Sequence, residues 1–556
     1  MPGQFLRAIS NGGCPVNSSG QYNDINTDDG DVNFGRWDPY SETAKFVTEA
    51  QAKWKNYGAF LRVKGFYDYI GDQVAGQHNT DYGRRPLIDA ARGNDAHNAA
   101  AWDFGVLDAF VYGNFTVGDD HALNVRFGKQ VVNWGESLFI PGGINQFMSV
   151  DLGALRAPGA QVKDGLLPQE MLYASLGLTG DTTVDAWAGF KWRHTILDPV
   201  GTYFSNDIFG PGGAYVNLIT DGAGTAADQL RVKASETPKD FGQFGIKLDN
   251  YAEWLNDGTE LALYYVNYDS NLPFLEYSNG LPADIAGAFG APGLAYDQFY
   301  RAHYPSNIQL IGASFSTVLE NFIYGTAFSG ELVYQPNLPF QVSSGEMLAA
   351  HWLSFTGAPA STLPYDQTPG AFPDGFVRTD SITGQIGTVS TLPTSDWVTS
   401  HLNANLVILV ANWGFQLLPG IAADKLDSLS ASMSEFQIPN PAFRDVPGLT
   451  NPKFGLYHPD RFSSGVRLMA QVQYDNAFGT PFTVTPDIQY GQDFGTSAGP
   501  IGPGFLDHKK TLTIGTTVAY QSAWKAGVHW TATRGNSVQN LFEDRDYITA
   551  DVSYAF

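Results

Sequence analysis

From Arg545 to Phe556 the chain alternates strictly. Ile548, Ala550, Val552, Tyr554 and Phe556 fall on one face of an extended segment, and Tyr547, Thr549, Asp551 and Ser553 on the other. A period of two marks a strand with one face in an apolar medium and the other in water. Leu123, Val125 and Phe127 alternate with Asn124, Arg126 and Gly128. Val184, Ala186, Ala188, Phe190 and Trp192 likewise alternate with Asp185, Trp187 and Lys191. Seventeen such segments are predicted, at 40–55, 57–70, 104–116, 121–132, 169–178, 182–194, 239–250, 258–268, 306–317, 322–335, 396–411, 424–436, 463–475, 479–490, 509–521, 523–533 and 545–556. Short connections such as VGDDH, TGD and QS alternate with long ones at 71–103, 133–168, 195–238, 269–305, 336–395, 437–462, 491–508 and 534–544.

This layout predicts an all-β fold, a transmembrane antiparallel β-barrel with short periplasmic turns and long extracellular loops. Residues 40–556 form the barrel and 1–39 an extracellular loop segment. The localisation that follows is the outer membrane of a Gram-negative bacterium. If the last strand ends in the periplasm, seventeen strands put the start of the 40–55 segment outside the cell. Single-chain bacterial barrels have even strand numbers, so an eighteenth, upstream strand is expected in the complete protein. In its absence, the 545–556 strand should face the 40–55 strand across a gap or in parallel.

Composition removes the competing classes. The longest apolar run, Leu406 to Ala411, is six residues, against the roughly 18 that a transmembrane helix requires. A formal charge of −24 leaves no basic surface for nucleic acid, while divalent-cation-bridged lipopolysaccharide is a compatible neighbour. Aromatic residues reach 14%, and Tyr57, Trp192, Trp254, Tyr268, Trp397, Trp413 and Trp524 fall at strand ends, where interfacial girdles are expected. Pro486 interrupts a strand and predicts a bulge. The single cysteine, Cys14, has no partner for a disulfide, and MPGQFLRAISNGG carries no signal peptide pattern.

The polar faces of the wall segments nominate the lumen lining. Lys45, Glu49, Arg62, Lys64 and Asp68 come from the first two strands. Asp108, Asn114, Arg126, Gln130, Asp185, Lys191 and Arg193 follow, and then Arg467, Gln471 and His529. Such charges set solute preference in a water-filled pore, unless they pair across strands and merely solvate the interior. Loop 133–168 is too apolar to stay in solvent. It is expected to fold into the barrel mouth as a plug through Leu138, Phe139, Ile140, Ile144 and Phe147, or to pack over the rim. Loop 269–305 is similarly apolar and could line a port for a hydrophobic solute. The acidic run Asp24, Asn26, Asp28, Asp29 and Asp31 lacks the spacing and the closing Glu of an EF-hand, and no metal or cofactor is expected. His401 and His529 have no evident serine partner, so no catalysis is expected.

The segments RFGKQVVNWGESLFIPGGIN (126–145), LRAPGAQVKDGLLPQEM (155–171) and LDPVGTYFSNDIFGPGG (197–213), with NTDDGDVNFGRWD near the start, resemble the proteobacterial outer-membrane family catalogued as domain of unknown function 1302. The terminal Val552, Tyr554 and Phe556 resemble the signal read by the barrel-assembly machinery. The resemblance implies a porin-like barrel whose genes accompany RND-type exporters and lipid-handling proteins, and a first strand and signal peptide ahead of the Asp-rich segment. The resulting expectation is an outer-membrane channel or transporter for small hydrophobic or amphipathic solutes or lipids. The alternative is a non-conducting acceptor or anchor that partners an RND-type transporter or a periplasmic lipid carrier.

Overall fold

The computed structural model describes residues 33–555 apart from stretches within 75–95, 206–228, 279–298, 343–373, 422–458 and 536–544, and positions 119, 501–502 and 522. The acidic run, Cys14 and Phe556 lie outside the described residues.

Seventeen strands form one antiparallel sheet: β1 (Thr43–Trp54), β2 (Tyr57–Asp68), β3 (Trp102–Val117), β4 (His121–Gln130), β5 (Gln169–Gly177), β6 (Thr182–Gly189), β7 (Phe244–Ala252), β8 (Thr259–Tyr268), β9 (Ile308–Leu319), β10 (Thr326–Gln341), β11 (Phe376–Pro393), β12 (Leu406–Leu417), β13 (Phe462–Gln473), β14 (Phe482–Phe494), β15 (Lys510–Tyr520), β16 (Trp524–Arg534) and β17 (Tyr547–Tyr554). Each pairs with its successor, so the order in the sheet is the order in the chain. Short turns follow the odd-numbered strands and long connections the even-numbered ones.

Two differences from the sequence reading cancel in the strand count. Residues 376–393, expected within a loop, form the wall strand β11, and residues 397–401 form a helical turn before β12 instead of the start of a strand. Segment 424–436 lies mostly outside the described residues, but Leu426 and Leu429 are buried with the inner core and do not belong to the wall. These two buried leucines are three residues apart, a spacing that the period of two of a wall strand does not produce. Pro486 produces no bulge. Its pairing with Thr516 stays in register, and the ladder to β13 stops at Gln471–Asp487 and resumes in the same register at Tyr474–Val484. A bulge appears instead between β2 and β3, where Arg62 faces the extra pair Leu107 and Asp108.

The sheet curls so that its first and last strands approach each other. The ring of Tyr40, just before β1, lies 5.8 Å from that of Tyr547, the first residue of β17. With an odd number of alternating strands, β1 and β17 therefore run in the same direction, and among the described residues no ladder joins them. An aromatic cluster knits this seam at the long-loop rim: Tyr203 stacks on Tyr40 at 4.9 Å, and Phe204 meets Tyr547 edge-on at 5.4 Å.

Outward faces are apolar and exposed, as at Phe104, Leu263, Leu332, Val528 and Val552, each paired across its ladder with an outward glycine or alanine. Apolar surface this continuous belongs in lipid. At the short-turn rim Trp54, Trp254, Trp397 and Trp524 project outward with Phe478, which is 99% exposed. Two of the expected girdle residues are elsewhere. Tyr268 points inward and is fully buried, its hydroxyl accepting from Gln335, and Trp192 leaves the wall to donate to the Ser270 carbonyl. The continuous hydrogen-bonded wall predicts faster migration on SDS gels before heating than after. Identical mobility would contradict a barrel.

Candidate functional site

The segment between β4 and β5, residues 131–168, runs through the interior of the sheet. Its anchor is Glu331 of β10, an inward carboxylate that accepts from the backbone N–H of Glu136 (2.9 Å) and Ile144 (3.3 Å) and from Gln385 Nε2 of β11 (2.7 Å). Next to it, Asn412 Oδ1 of β12 accepts from the N–H groups of Phe139 and Ile140. Tyr264 of β8 donates to the Trp134 carbonyl at 3.1 Å. Backbone amides in a water-poor interior need such partners.

Apolar packing reinforces these bonds. Ile140, Ile144 and Phe147 are buried, and Phe147 stacks on the inward Trp187 of β6 at 5.2 Å. The loop approaches the wall where inward positions are glycine. A side chain at Gly312 would meet Ile144 at 3.2 Å, one at Gly387 would meet Leu138 at 2.6 Å, and one at Gly414 would meet Ile140 at 3.0 Å. Gly143 has φ +68, and any Cβ there would collide with the Glu331 carboxylate, so this turn needs glycine for both reasons. Leu138 and Phe139 remain partly exposed. On this side the lumen face is apolar, with Ala262, Tyr264, Val266 and Tyr268 all inward and buried. Strand glycines at points of close backbone approach were the available sequence signal, and the sequence reading missed it.

Across the lumen the loop is held by charge. Asp164 binds Lys45 of β1 at 2.9 Å, Asp151 binds Lys64 of β2 at 3.2 Å, and Glu49 of β1 stands 3.8 Å from Lys163. Arg156 pairs with Asp198, which arrives on the β6–β7 connection. Burial pushes the Asp164 carboxyl up, but the Lys45 ammonium and the Gln161 N–H outweigh it and hold the group below the usual carboxylate range. Burial pushes Asp198 up, opposed by Arg156. A depressed carboxylate stabilises its contact above the unfolded pKa of about 3.9 and loses it as pH falls through the lower folded value. The Lys45–Asp164 contact should thus persist from neutral pH to about 5 and fail only below the ordinary carboxylate range. Bilayer current noise, recorded across this pH range, checks it. Noise that rises already near pH 6 would contradict the assignment.

Between the charged side of the loop and the β1–β3 wall lies a cavity of about 590 Å³. Lys45, Lys64, Phe66 and Asp68 line it from the wall, and Asp151, Arg156 and Asp164 from the loop. Asp68 spends its oxygens on protein, accepting from Ser41, Thr43 and the N–H groups of Glu42 and Gly71.

The other nominated lumen charges are mostly paired. Arg62 binds Asp108 at 2.5 Å, Arg467 binds Asp493 at 2.7 Å, and His529 lies 3.1 Å from Asp487. Asp185 stands opposite Lys247, and Gln471 opposite Asp487. Arg126 lies over the Tyr173 ring, with Nε donating to Asn124, which also bonds Asn114; Gln130 donates to the Met171 carbonyl. Lys191 and Arg193 are not on a wall strand. β6 ends at Gly189, where the chain leaves the wall to join the β8–β9 connection through Thr195 N–H and the Asn271 carbonyl.

The long loops add a small sheet of Phe274–Tyr277, Phe299–His303, Gln229–Val232 and Tyr215–Asn217. The start of loop 269–305 is buried there, at Phe274, Leu275 and Tyr277, and residues 279–298 lie outside the described residues. In it Glu276, Glu236 and His303 converge, but Arg301 bridges both carboxylates, supplying the positive charge that a cation would bring.

Among curated proteins no sequence relative is found. Three proteins of known structure resemble the chain in outline. Acinetobacter baumannii OccAB1 has 10% identity over 92% of this chain and 89% of its own, with a TM-score of 0.38. Pseudomonas aeruginosa OpdK with vanillate has 10% identity over 92% of both chains, with a TM-score of 0.37. Pseudomonas putida OprB at high pH has 11% identity over 88% of both, with a TM-score of 0.33. The profile of the family described as protein of unknown function (DUF1302) matches residues 6–556, and the chain belongs to that family.

Proposed function

We propose that this protein is an outer-membrane channel whose bore is narrowed by the 131–168 segment, and that it passes small amphipathic or hydrophobic solutes. The observation that carries this reading is the asymmetric seating of that segment. One side is packed and hydrogen-bonded against β8–β12, and the other reaches β1 and β2 through ion pairs beside the 590 Å³ cavity. A segment laid across a polar bore is a constriction, and the cavity beside it is the space that remains for a solute. Leu138, Phe139, Ile140, Ile144 and Phe147 act as the plug face. The wall charges mostly neutralise one another, which leaves selectivity to the cavity lining. Barrel assembly through the Val552, Tyr554 and Phe556 signal, residence beside lipopolysaccharide, and supply or removal of solute by an RND-type transporter or periplasmic lipid carrier belong to the same proposal. It contains no catalytic step.

Planar-bilayer recording tests it. Discrete ion currents from purified protein are expected. A folded, heat-modifiable protein without current would favour the acceptor or anchor reading.

A further inference from the structure

The cavity between the 131–168 segment and the β1–β3 wall carries a charge and ring pattern that names a ligand class. Three of its cations are neutralised by acids: Lys45 by Asp164, Lys64 by Asp151 and Arg156 by Asp198. Arg193 is different. Its Nη1 donates to the Pro168 carbonyl at 3.0 Å, and among the described residues no carboxylate comes within ion-pairing distance of it. A guanidinium has five N–H donors in a planar fork suited to a carboxylate, and most of these remain for a ligand. Of the acids, Asp68 is saturated by hydroxyls and backbone N–H groups. Asp103 is exposed at the wall's edge, where water screens it.

Tyr40, Tyr203 and Phe204 form the apolar wall of the same cavity. Tyr203 stacks on Tyr40, Phe204 lies edge-on to Tyr203 at 5.0 Å, and Arg156 covers Phe204 at 5.0 Å. Mutually braced rings offer a flat ligand a rigid contact surface at little entropic cost.

We propose that this cavity is a binding site for small aromatic carboxylates, with Arg193 holding the carboxylate and the Tyr203 and Phe204 rings the body. The proposal rests on the channel reading for its role, as the selective site of the passage, but binding is measurable without transport.

Benzoate is the probe, titrated at neutral pH into detergent-solubilised protein by calorimetry, beside benzylamine, benzyl alcohol and acetate. Benzoate should bind at least about tenfold more tightly than the other three, because benzylamine and benzyl alcohol lack the carboxylate that Arg193 holds and acetate lacks the ring that the aromatic wall holds. Arg193→Gln should erase the advantage over benzyl alcohol, and Phe204→Leu should narrow the advantage over acetate. Equal or tighter binding of benzylamine, or unchanged benzoate binding in Arg193→Gln, would overturn the site. Should Arg193→Gln not fold, the wild-type order of benzoate over benzylamine decides alone. Protein that binds in this order but conducts no current would refute the channel and leave the site. Protein that conducts without the preference would refute the site and leave the channel.

Discussion

Gly143→Val is expected to give a channel of severalfold higher conductance, as deletion of the loop would. The native turn has positive φ, and a branched side chain there costs about 1–3 kcal/mol in backbone strain alone. It would also collide with Glu331, so the hydrogen bonds from the Glu136 and Ile144 N–H groups could not form. Charge-assisted bonds of this kind contribute about 1.5–3 kcal/mol each. The packed side of the loop would then lose its anchor while the wall keeps all of its ladders. Undocking should show as larger, noisier unitary currents with normal heat-modifiability. Conductance equal to wild type would retire the constriction and leave a loop that merely lines the interior. Glu331→Ala, which removes the acceptor without strain, should have the same sign and a smaller effect.

The second large effect concerns the lipid face. Val528 is 52% exposed in the middle of β16 and paired with the outward Ala550. Arginine at a barrel's lipid face near the bilayer midplane costs about 2–4 kcal/mol, so Val528→Arg should lower the denaturant midpoint and the folding yield into lipid vesicles. Asp551 points inward, close to Gly159 of the internal segment. Asp551→Asn should cost far less, because it exchanges one polar group for another in a polar bore. Equal losses from the two substitutions would mean that the faces are assigned the wrong way round.

The barrel was legible because its wall strands must satisfy two solvents at once, and alternation of period two is the result. β11 escaped that test. Its outward positions include Ile382, Gly384, Ile386 and Thr388, and its inward ones Ser381, Thr383, Gln385 and Gly387, so small and hydroxylic residues dilute the contrast on both faces. Those features are needed where the internal loop presses on the wall: Gly387 makes room for Leu138, and Gln385 donates to Glu331. Segment 424–436 misled in the opposite sense, because Leu426 and Leu429 supply apolar content like that of a strand but serve the inner core. The apolar excess of 133–168 was enough to predict burial, yet not its anchor. Glu331 reads in sequence as one more wall charge, and only the fold brings it to the turn at Gly143. The Arg193 environment was equally hidden, since its strand was expected to run past Gly189, where the chain in fact turns off the wall.

The most direct test of the central claim is which side of the internal segment carries the water path. In a Cys14→Ser background, cysteine is placed singly at Phe66, beside the cavity, and at Ala262, on the packed wall. A charged methanethiosulfonate is then applied during bilayer recording. Rapid, stepwise current block at Phe66→Cys with none at Ala262→Cys is the predicted result. Block at Ala262→Cys, with Phe66→Cys unaffected, would contradict the account.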